Sequence, residues 1–135
     1  MPKILIVDDE EIVRRVLSSL LKKDGYQVME AEDGEAGVEL AKKEDPDVIL
    51  MDLTMPKMGG LEACRLLKKD EKTKNIPVLV ITALGGENKT EAIDAGIDDF
   101  VSKPFDAEEI SIRVKSNKIF SYLLCVICNT KIRIQ

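Results

Sequence analysis

Three apolar runs of four residues constrain the fold more strongly than any other feature of the sequence. They are Ile4-Leu5-Ile6-Val7, Val48-Ile49-Leu50-Met51 and Val78-Leu79-Val80-Ile81. Short continuous runs rich in β-branched residues are typical of strands that are buried on both faces, as in a parallel sheet covered by helices. Two more polar segments, residues 27–31 and 99–101, fit the edges of the same sheet. The sequence therefore predicts five strands, of which three are central.

Helical patterns alternate with these strand segments. Apolar pairs at residues 12/13, 16/17 and 20/21 form an amphipathic stripe, and Gly25 suits the position just past the end of that helix. Four more helices are predicted: over residues 34–43, around residues 61–67, over residues 87–95, and from Asp106, a good N-cap. Alternating strands and helices predict an α/β fold, a flavodoxin-like doubly wound five-stranded parallel sheet with five helices. Polar edge strands give the strand order 2-1-3-4-5.

Composition excludes several classes of function. The 135 residues are 44% hydrophobic and 33% charged, which is typical of one soluble domain. The net charge of −5 argues against direct binding of nucleic acid. No apolar stretch could span a bilayer and no signal-peptide pattern is present, so we expect a cytoplasmic protein without a membrane partner. The chain contains no histidine, which excludes a Ser/His or Cys/His triad and a histidine-based zinc site.

Polar residues follow four of the predicted strands at the point where each strand ends. Asp8 and Asp9 come directly after the first strand, Asp52 after the third, Thr82 ends the fourth, and Lys103 follows the fifth. Ligands of open α/β sheets bind at the carboxyl ends of the strands, where the winding direction reverses. We therefore expect three carboxylates, a hydroxyl and an ammonium group to meet at one rim.

Three carboxylates close together repel one another unless a cation lies among them. Mg²⁺ prefers oxygen ligands and keeps positions open for water and phosphate. A carboxylate beside such a metal can attack phosphorus and form an acyl phosphate. The rim therefore predicts phosphoryl chemistry that depends on Mg²⁺, with Lys103 and Thr82 contacting the phosphoryl oxygens.

Four segments of the chain resemble the signature segments of response-regulator receiver domains of two-component signalling. They are Val7-Asp8-Asp9-Glu10, Asp52-Leu53-Thr54-Met55-Pro56, Ile81-Thr82-Ala83 and Lys103-Pro104-Phe105. The resemblance extends from residue 3 to about residue 115. It departs from the family pattern at Gly59, where an acidic residue is common, and at Ile97, where alanine is common. Neither departure touches the predicted chemistry.

The resemblance implies a role for each polar residue that follows the first and third predicted strands. Asp52 is similar to the residue that receives the phosphoryl group. Asp9 resembles the direct Mg²⁺ ligand, Asp8 the ligand that acts largely through water, and the backbone carbonyl of Thr54 would complete the protein ligands. Asp52 would also contact the metal. The chain would promote only its own phosphorylation and dephosphorylation, so it is not expected to be an enzyme with a separate substrate.

The resemblance also implies a conformational switch. Thr82 is similar to the hydroxyl residue that moves toward the phosphoryl group, and Phe100 matches the aromatic residue that changes rotamer with it. Lys103-Pro104 resembles the family's cis peptide, which would direct the lysine into the site. The face built from the fourth helix, the fifth strand and the fifth helix would then change. The implied phosphoryl donor is a sensor histidine kinase or a phosphotransfer protein, and the downstream target is unknown.

Structural interpretations of the same residues stay open. Asp8 and Glu11 have the spacing of a capping box at the start of the first helix, and Asp8 could both cap and bind metal. Phe100 could be a core residue. Cys125-x-x-Cys128 is interpreted as packing or fortuitous spacing rather than as a redox pair, and three cysteines do not make a disulfide framework.

Three other functions compete with the receiver. An aspartate-nucleophile phosphatase would need a second acid at the position of Thr54. A flavin or nucleotide binder would have to place phosphate beside Asp8-Asp9, and no Walker or Gly-x-Gly-x-x-Gly motif is present. The third alternative is an interaction module that works without phosphorylation.

The ends and the output of the chain are less constrained. We assign residues 1–118 to the receiver domain and leave 119–135 as an unassigned tail, helix extension or linker. The connector from Lys69 to Pro77 resembles that of stand-alone receivers and of receivers with enzymatic outputs, which weakly disfavours a DNA-binding effector. The expected oligomeric state is a monomer or weak dimer.

Overall fold

Five parallel strands form one sheet in the order β2-β1-β3-β4-β5, as predicted. The computed structural model describes residues 2–53, 58–82, 93–102 and 105–116, and at Thr82 and Ser102 it describes the backbone alone. The two polar strands lie at the edges of the sheet that the described residues form. The strands are β1 (Lys3–Val7), β2 (Gln27–Ala31), β3 (Val48–Met51), β4 (Val78–Thr82) and β5 (Asp99–Ser102).

Helices connect the strands on both faces of the sheet. The described residues form α1 (Glu11–Lys23), α2 (Gly34–Glu44), α3 (Gly60–Lys69) and a helix over residues 107–116, called the C-terminal helix below. Of the helix predicted over 87–95, residues 87–92 lie outside the described residues, and residues 93 and 94 are helical. The tail from residue 117 onward also lies outside them.

Several helix ends follow the local signals in the sequence. Gly25 has a φ of 95° just past the end of α1, a conformation that costs glycine little. Asp45 ends α2 in the left-handed region, directly before a proline that cannot continue the helix. The carboxylate of Asp106 accepts a hydrogen bond from the Glu108 amide at 2.8 Å, which confirms the predicted N-cap. Local chemistry therefore sets where the helices begin and end.

Alternate residues of each central strand pack on opposite faces of the sheet. One core contains Leu5 and Val7 with apolar residues of α2 and α3. The other contains Ile4 and Ile6 with residues of α1 and the C-terminal helix. Both cores are buried, which explains why β1 is a continuous apolar run rather than an alternating pattern. Among the residues that the structure describes, no helix combines the length and the apolarity needed to cross a bilayer.

Candidate functional site

The acidic ends of β1 and β3 are neighbours at the carboxyl edge of the sheet. Val7 pairs with Met51, and the amide of Asp52 donates to the Val7 carbonyl at 2.9 Å. The amide of Asp8 donates to the carbonyl of Ala31 in β2 at 3.1 Å. Because adjacent strands lie about 5 Å apart, Asp8 and Asp52 begin side by side. Both are buried, with 3% and 4% of their surfaces exposed.

Three consecutive acidic residues after β1 form a compact cluster. Asp8, Asp9 and Glu10 each contribute a carboxylate oxygen, and these oxygens all lie within 4.8 Å of one another. Mutual repulsion of three carboxylates favours a cation among them, and their oxygen-only chemistry fits Mg²⁺. Asp52 is not one of the three. Glu10 is a potential ligand that sequence reasoning left without a role, although the Asp-Asp-Glu run itself is visible in the sequence.

Asp8 also shapes the turn that leads into α1. Its Oδ1 accepts a hydrogen bond from the Glu10 amide at 2.9 Å. The N-cap of α1 is Glu10, whose side chain makes no capping bond, so the capping box proposed for Asp8 and Glu11 does not form as such. The reason is register: the helix begins at Glu11, and Asp8 therefore closes a turn before the cap. A structural role and a metal-binding role are compatible at this residue.

The segment that carries Asp52 is held by the start of α3. Gly60 donates its amide to the Leu53 carbonyl at 3.1 Å. A methyl group on Gly60 would overlap the carbonyl oxygen of Asp52 and would lie 2.7 Å from the Leu53 Cα. The backbones of α3 and of the residues after β3 therefore touch directly, which no residue larger than glycine allows. Sequence reasoning predicted a helix around residues 61–67 but gave Gly60 no role.

Of the remaining predicted site residues, the structure describes the backbone of Thr82. Thr82 ends β4 and pairs with Ser102 of β5. Val80, two residues earlier, pairs with Met51, so the backbone of Thr82 extends past the level of Asp52. Lys103 follows Ser102 directly, and both Lys103 and Thr54 lie outside the described residues. The predicted contacts of Thr54, Thr82 and Lys103 therefore stay predictions.

Phe100 lies in β5 and pairs with Val80 of β4. It is partly buried and packs against the core on the side of α2 and α3. The next residue, Val101, faces the opposite core, where the C-terminal helix packs. Phe100 is thus an incompletely buried aromatic on an edge strand, which is compatible with both the core interpretation and the switch interpretation.

Cys64 offers no alternative nucleophile near the acidic rim. It lies in α3 with none of its surface exposed. Burial raises the pKa of its thiol to about 12, so the reactive thiolate is scarce at neutral pH. Cys125 and Cys128 lie outside the described residues. Among the described residues, the chemistry of the strand ends therefore rests on carboxylates.

Known proteins are similar to this chain in sequence and in fold. A family model described as the response regulator receiver domain matches residues 4–115. The DNA-binding dual master transcriptional regulator RpaA of Synechocystis is 44% identical over 117 residues, which cover 86% of this chain and 48% of that protein. The phosphate regulon transcriptional regulatory protein PhoB of Pseudomonas aeruginosa is 40% identical over 114 residues, which cover 84% of this chain and 50% of that protein. The chain spans about half the length of these relatives.

Two solved structures are also similar to this chain in fold and in sequence. The chemotaxis protein CheY4 of Vibrio cholerae superimposes with a TM-score of 0.81 at 32% identity, covering 86% of this chain and 98% of that chain. The receiver domain of the Francisella response regulator 1452 gives 0.80 at 32% identity, covering 87% of this chain and 96% of that chain.

The relatives also correct one sequence-based interpretation. Because RpaA and PhoB are named transcriptional regulators, the connector from Lys69 to Pro77 no longer argues against a DNA-binding effector. The family match covers most of the chain and agrees with the strand order and with the acidic ends of β1 and β3. The chain therefore belongs to the response regulator receiver domain family.

Proposed function

We propose that Asp52 accepts a phosphoryl group from the phosphohistidine of a sensor histidine kinase or phosphotransfer protein, in a reaction that depends on Mg²⁺. The observation that carries the proposal is the pairing of β1 with β3, which sets the buried Asp52 beside the cluster of Asp8, Asp9 and Glu10. These 135 residues contain no histidine, so a phosphohistidine donor would lie outside them. Membership of the receiver family supports the same assignment.

The ligand set that we propose for Mg²⁺ consists of Asp8, Asp9, Asp52 and the backbone carbonyl of Thr54. All four offer oxygen, the donor that this ion prefers. Bound Mg²⁺ would neutralise the carboxylates and offset the negative charge of the incoming phosphoryl group. Glu10 is close enough to its neighbours to join or to replace one of these ligands.

The chemical step is a transfer between two nucleophiles. A carboxylate oxygen of Asp52 forms a bond to phosphorus while the phosphorus–nitrogen bond of the donor breaks and its imidazole leaves. The product is an acyl phosphate on Asp52. Lys103 would contact the phosphoryl oxygens with its ammonium group, and Thr82 would donate a hydrogen bond to one of them.

Phosphorylation would then alter the edge of the sheet at β5. Thr82 would move toward the phosphoryl group and Phe100 would fill the vacated space. The packing of β5 supports this coupling, because Phe100 lies against one core and Val101 contacts the core that includes the C-terminal helix. A coupling free energy of about 1–3 kcal/mol suffices to shift such a surface between two populations.

The output of the protein is a separate question. Relatives carry transcriptional names and a solved neighbour carries a chemotaxis name, so their names do not point to a single output. We propose that these 135 residues do not themselves contact nucleic acid, since their net charge is −5. A cytoplasmic location, a monomeric or weakly dimeric state and a receiver extending over residues 1–118 belong to the same proposal.

Intact-mass measurement with acetyl phosphate tests the acceptor. The wild-type protein should gain the mass of one phosphoryl group when Mg²⁺ is present and should stay unmodified when Mg²⁺ is chelated. Asp52→Asn should abolish the gain. Asp47→Asn is the matched control. Asp47 is also a buried aspartate, but it directly precedes the first residue of β3, and it accepts a hydrogen bond from the Lys3 amide. Labelling of Asp52→Asn at the wild-type level would refute the assignment.

The same samples discriminate the alternatives. Steady turnover of a small phosphomonoester would favour a phosphatase. A protein that binds no Mg²⁺ and takes no label would favour an interaction module that works without phosphorylation.

A further inference from the structure

We propose that Arg14 is a positioning residue for the metal site, holding the Asp8 segment in the geometry that binds Mg²⁺. The inference rests on the proposed function, because it concerns the affinity of the same site. Arg14 lies in the first turns of α1 and is not one of the residues implied by the family resemblance.

The side chain of Arg14 links the turn after β1 to β2. Its Nη1 donates to the backbone carbonyl of Asp8 at 2.7 Å, and its Nε lies 3.2 Å from Oε1 of Glu30 in β2. Only 14% of the arginine side chain is exposed, compared with 38% for Glu30. Glu30 pairs with Ile6 of β1, so its backbone is fixed within the sheet. The guanidinium therefore anchors the turn after β1 to the neighbouring strand.

Arg14 supplies one of the contacts that hold Asp8. Its amide donates to the Ala31 carbonyl and its Oδ1 accepts from the Glu10 amide. The bond from Arg14 fixes the carbonyl, which is the start of the peptide unit that leads into Asp9. Loss of that bond would free the Asp8–Asp9 peptide to rotate. The carboxylate oxygens of Asp9 and Glu10 would then no longer lie close to that of Asp8.

Two effects of Arg14 on Mg²⁺ oppose each other. A positive charge near the site repels a second cation, whereas a fixed peptide orients the ligands. Glu30 offsets the charge of the guanidinium, and the contact with Asp8 is to a carbonyl rather than to the carboxylate. We therefore expect orientation to dominate, as it does for residues that support metal ligands elsewhere, where substitution costs about 10–100-fold in affinity.

Arg15 provides a matched control on the same helix. It carries the same charge, and its Nη2 lies 2.7 Å from Oε1 of Glu11 in a pair whose side chains are 75% and 64% exposed. Exposed pairs of this kind contribute little. A change that follows from charge alone would appear in both arginine variants. A change that follows from the Asp8 contact would appear only at Arg14.

Isothermal titration with Mg²⁺ tests the proposal, with thermal unfolding measured on each protein. Arg14→Gln should weaken binding by about 10–100-fold, and Arg15→Gln should leave it within about twofold. Arg14→Lys keeps the charge but cannot bridge to Glu30 in the same geometry, so it should recover only part of the affinity. Glu30→Gln leaves the arginine in place and should weaken binding by a smaller factor.

Each other outcome overturns the proposal in a distinct way. Tighter binding by Arg14→Gln would mean that the arginine acts as a competing charge. Unchanged affinity with a lower unfolding temperature would mean a purely structural role. If Arg14→Gln does not fold, unchanged affinity in Glu30→Gln refutes the proposal instead. A wild-type protein that binds no Mg²⁺ would refute the proposed function as well, whereas binding that is equal in wild type and Arg14→Gln refutes only the positioning role.

Discussion

The acidic residues after β1 and β3, Asp8 and Asp52, are equally buried, but their backbone carbonyls contact different kinds of neighbour. At β1, Asp8 is fixed by polar bonds, from Arg14 to its carbonyl and from the Glu10 amide to its carboxylate. At β3, the carbonyl of Asp52 lies in close contact with Gly60 at the start of α3. The Asp8 carbonyl therefore depends on a side chain that reaches it from α1. The Asp52 carbonyl depends on the absence of a side chain at position 60.

The difference predicts how each end responds to substitution. A polar contact can be weakened in steps, because conservative variants keep one donor or one acceptor. A backbone contact with no room for a methyl group has no intermediate, since any larger residue must displace α3 or Asp52. We therefore expect graded effects at β1 and a sharp effect at β3.

The largest effect is expected at Gly60. Gly60→Ala should destabilise the protein by about 3 kcal/mol, because the added methyl group overlaps backbone atoms that cannot rotate away. Acetyl phosphate labelling of the folded fraction should fall with it. Gly59→Ala is the matched control: its methyl group would meet only the Leu53 carbonyl at 3.7 Å, and the cost at this N-cap should stay below about 1 kcal/mol. Urea unfolding measures both. Equal stability of the two variants would contradict the packing that we describe.

A smaller effect is expected at Asp8, where two variants separate the turn from the metal. Asp8→Asn keeps an oxygen that can accept from the Glu10 amide, whereas Asp8→Ala does not. Both variants remove the same negative charge. The asparagine variant should therefore be more stable than the alanine variant by about 1 kcal/mol, the contribution of one hydrogen bond. Both variants should lose Mg²⁺ affinity at least about tenfold. Wild-type affinity in Asp8→Asn would remove Asp8 from the ligand set.

The smallest effect is expected at Asp70. It lies at the end of α3 opposite to Gly60, so Asp70→Asn is a control for the loss of an acidic residue outside the proposed metal site. The Lys72 amide and the side chain of Lys42 lower the pKa of the Asp70 carboxyl below its usual 3.8. Because the folded pKa is the lower one, ionised Asp70 stabilises the fold above about pH 4, and that contribution disappears as the pH falls through the folded pKa. Asp70→Asn should lower the urea midpoint slightly at pH 7, and the difference from wild type should shrink as the pH falls below about 4. Its Mg²⁺ affinity and labelling should equal those of wild type, and a loss of either would show that remote acids influence the site.

The sequence was sufficient for the architecture of this domain. Continuous apolar runs in β1, β3 and β4 predict strands that are buried on both faces, and polar β2 and β5 predict the edges. Gly25 and Asp106 predict helix ends through local chemistry. The adjacency of Asp8 and Asp52 follows from the strand order, since residues that end neighbouring parallel strands meet at one edge.

The supports of the site could not be predicted in the same way. The contact between Arg14 and Asp8 depends on where a long side chain points, and its partner Glu30 lies 16 residues away in another strand. The need for glycine at position 60 depends on the distance between two backbones, which no local pattern encodes. Glu10 was visible in the sequence, but its place in the cluster depends on the turn that Asp8 closes.

A crystal structure of the protein grown with Mn²⁺ tests the central claim most directly, because the anomalous signal of manganese locates the ion without reference to a model of its ligands. We predict one peak between the two strand ends, with carboxylate oxygens of Asp9 and Asp52 about 2 Å away, at the distance typical of this class of site. A peak bound only by Asp8, Asp9 and Glu10, with Asp52 turned away from it, would contradict the claim that the ends of β1 and β3 form one phosphoryl-accepting site.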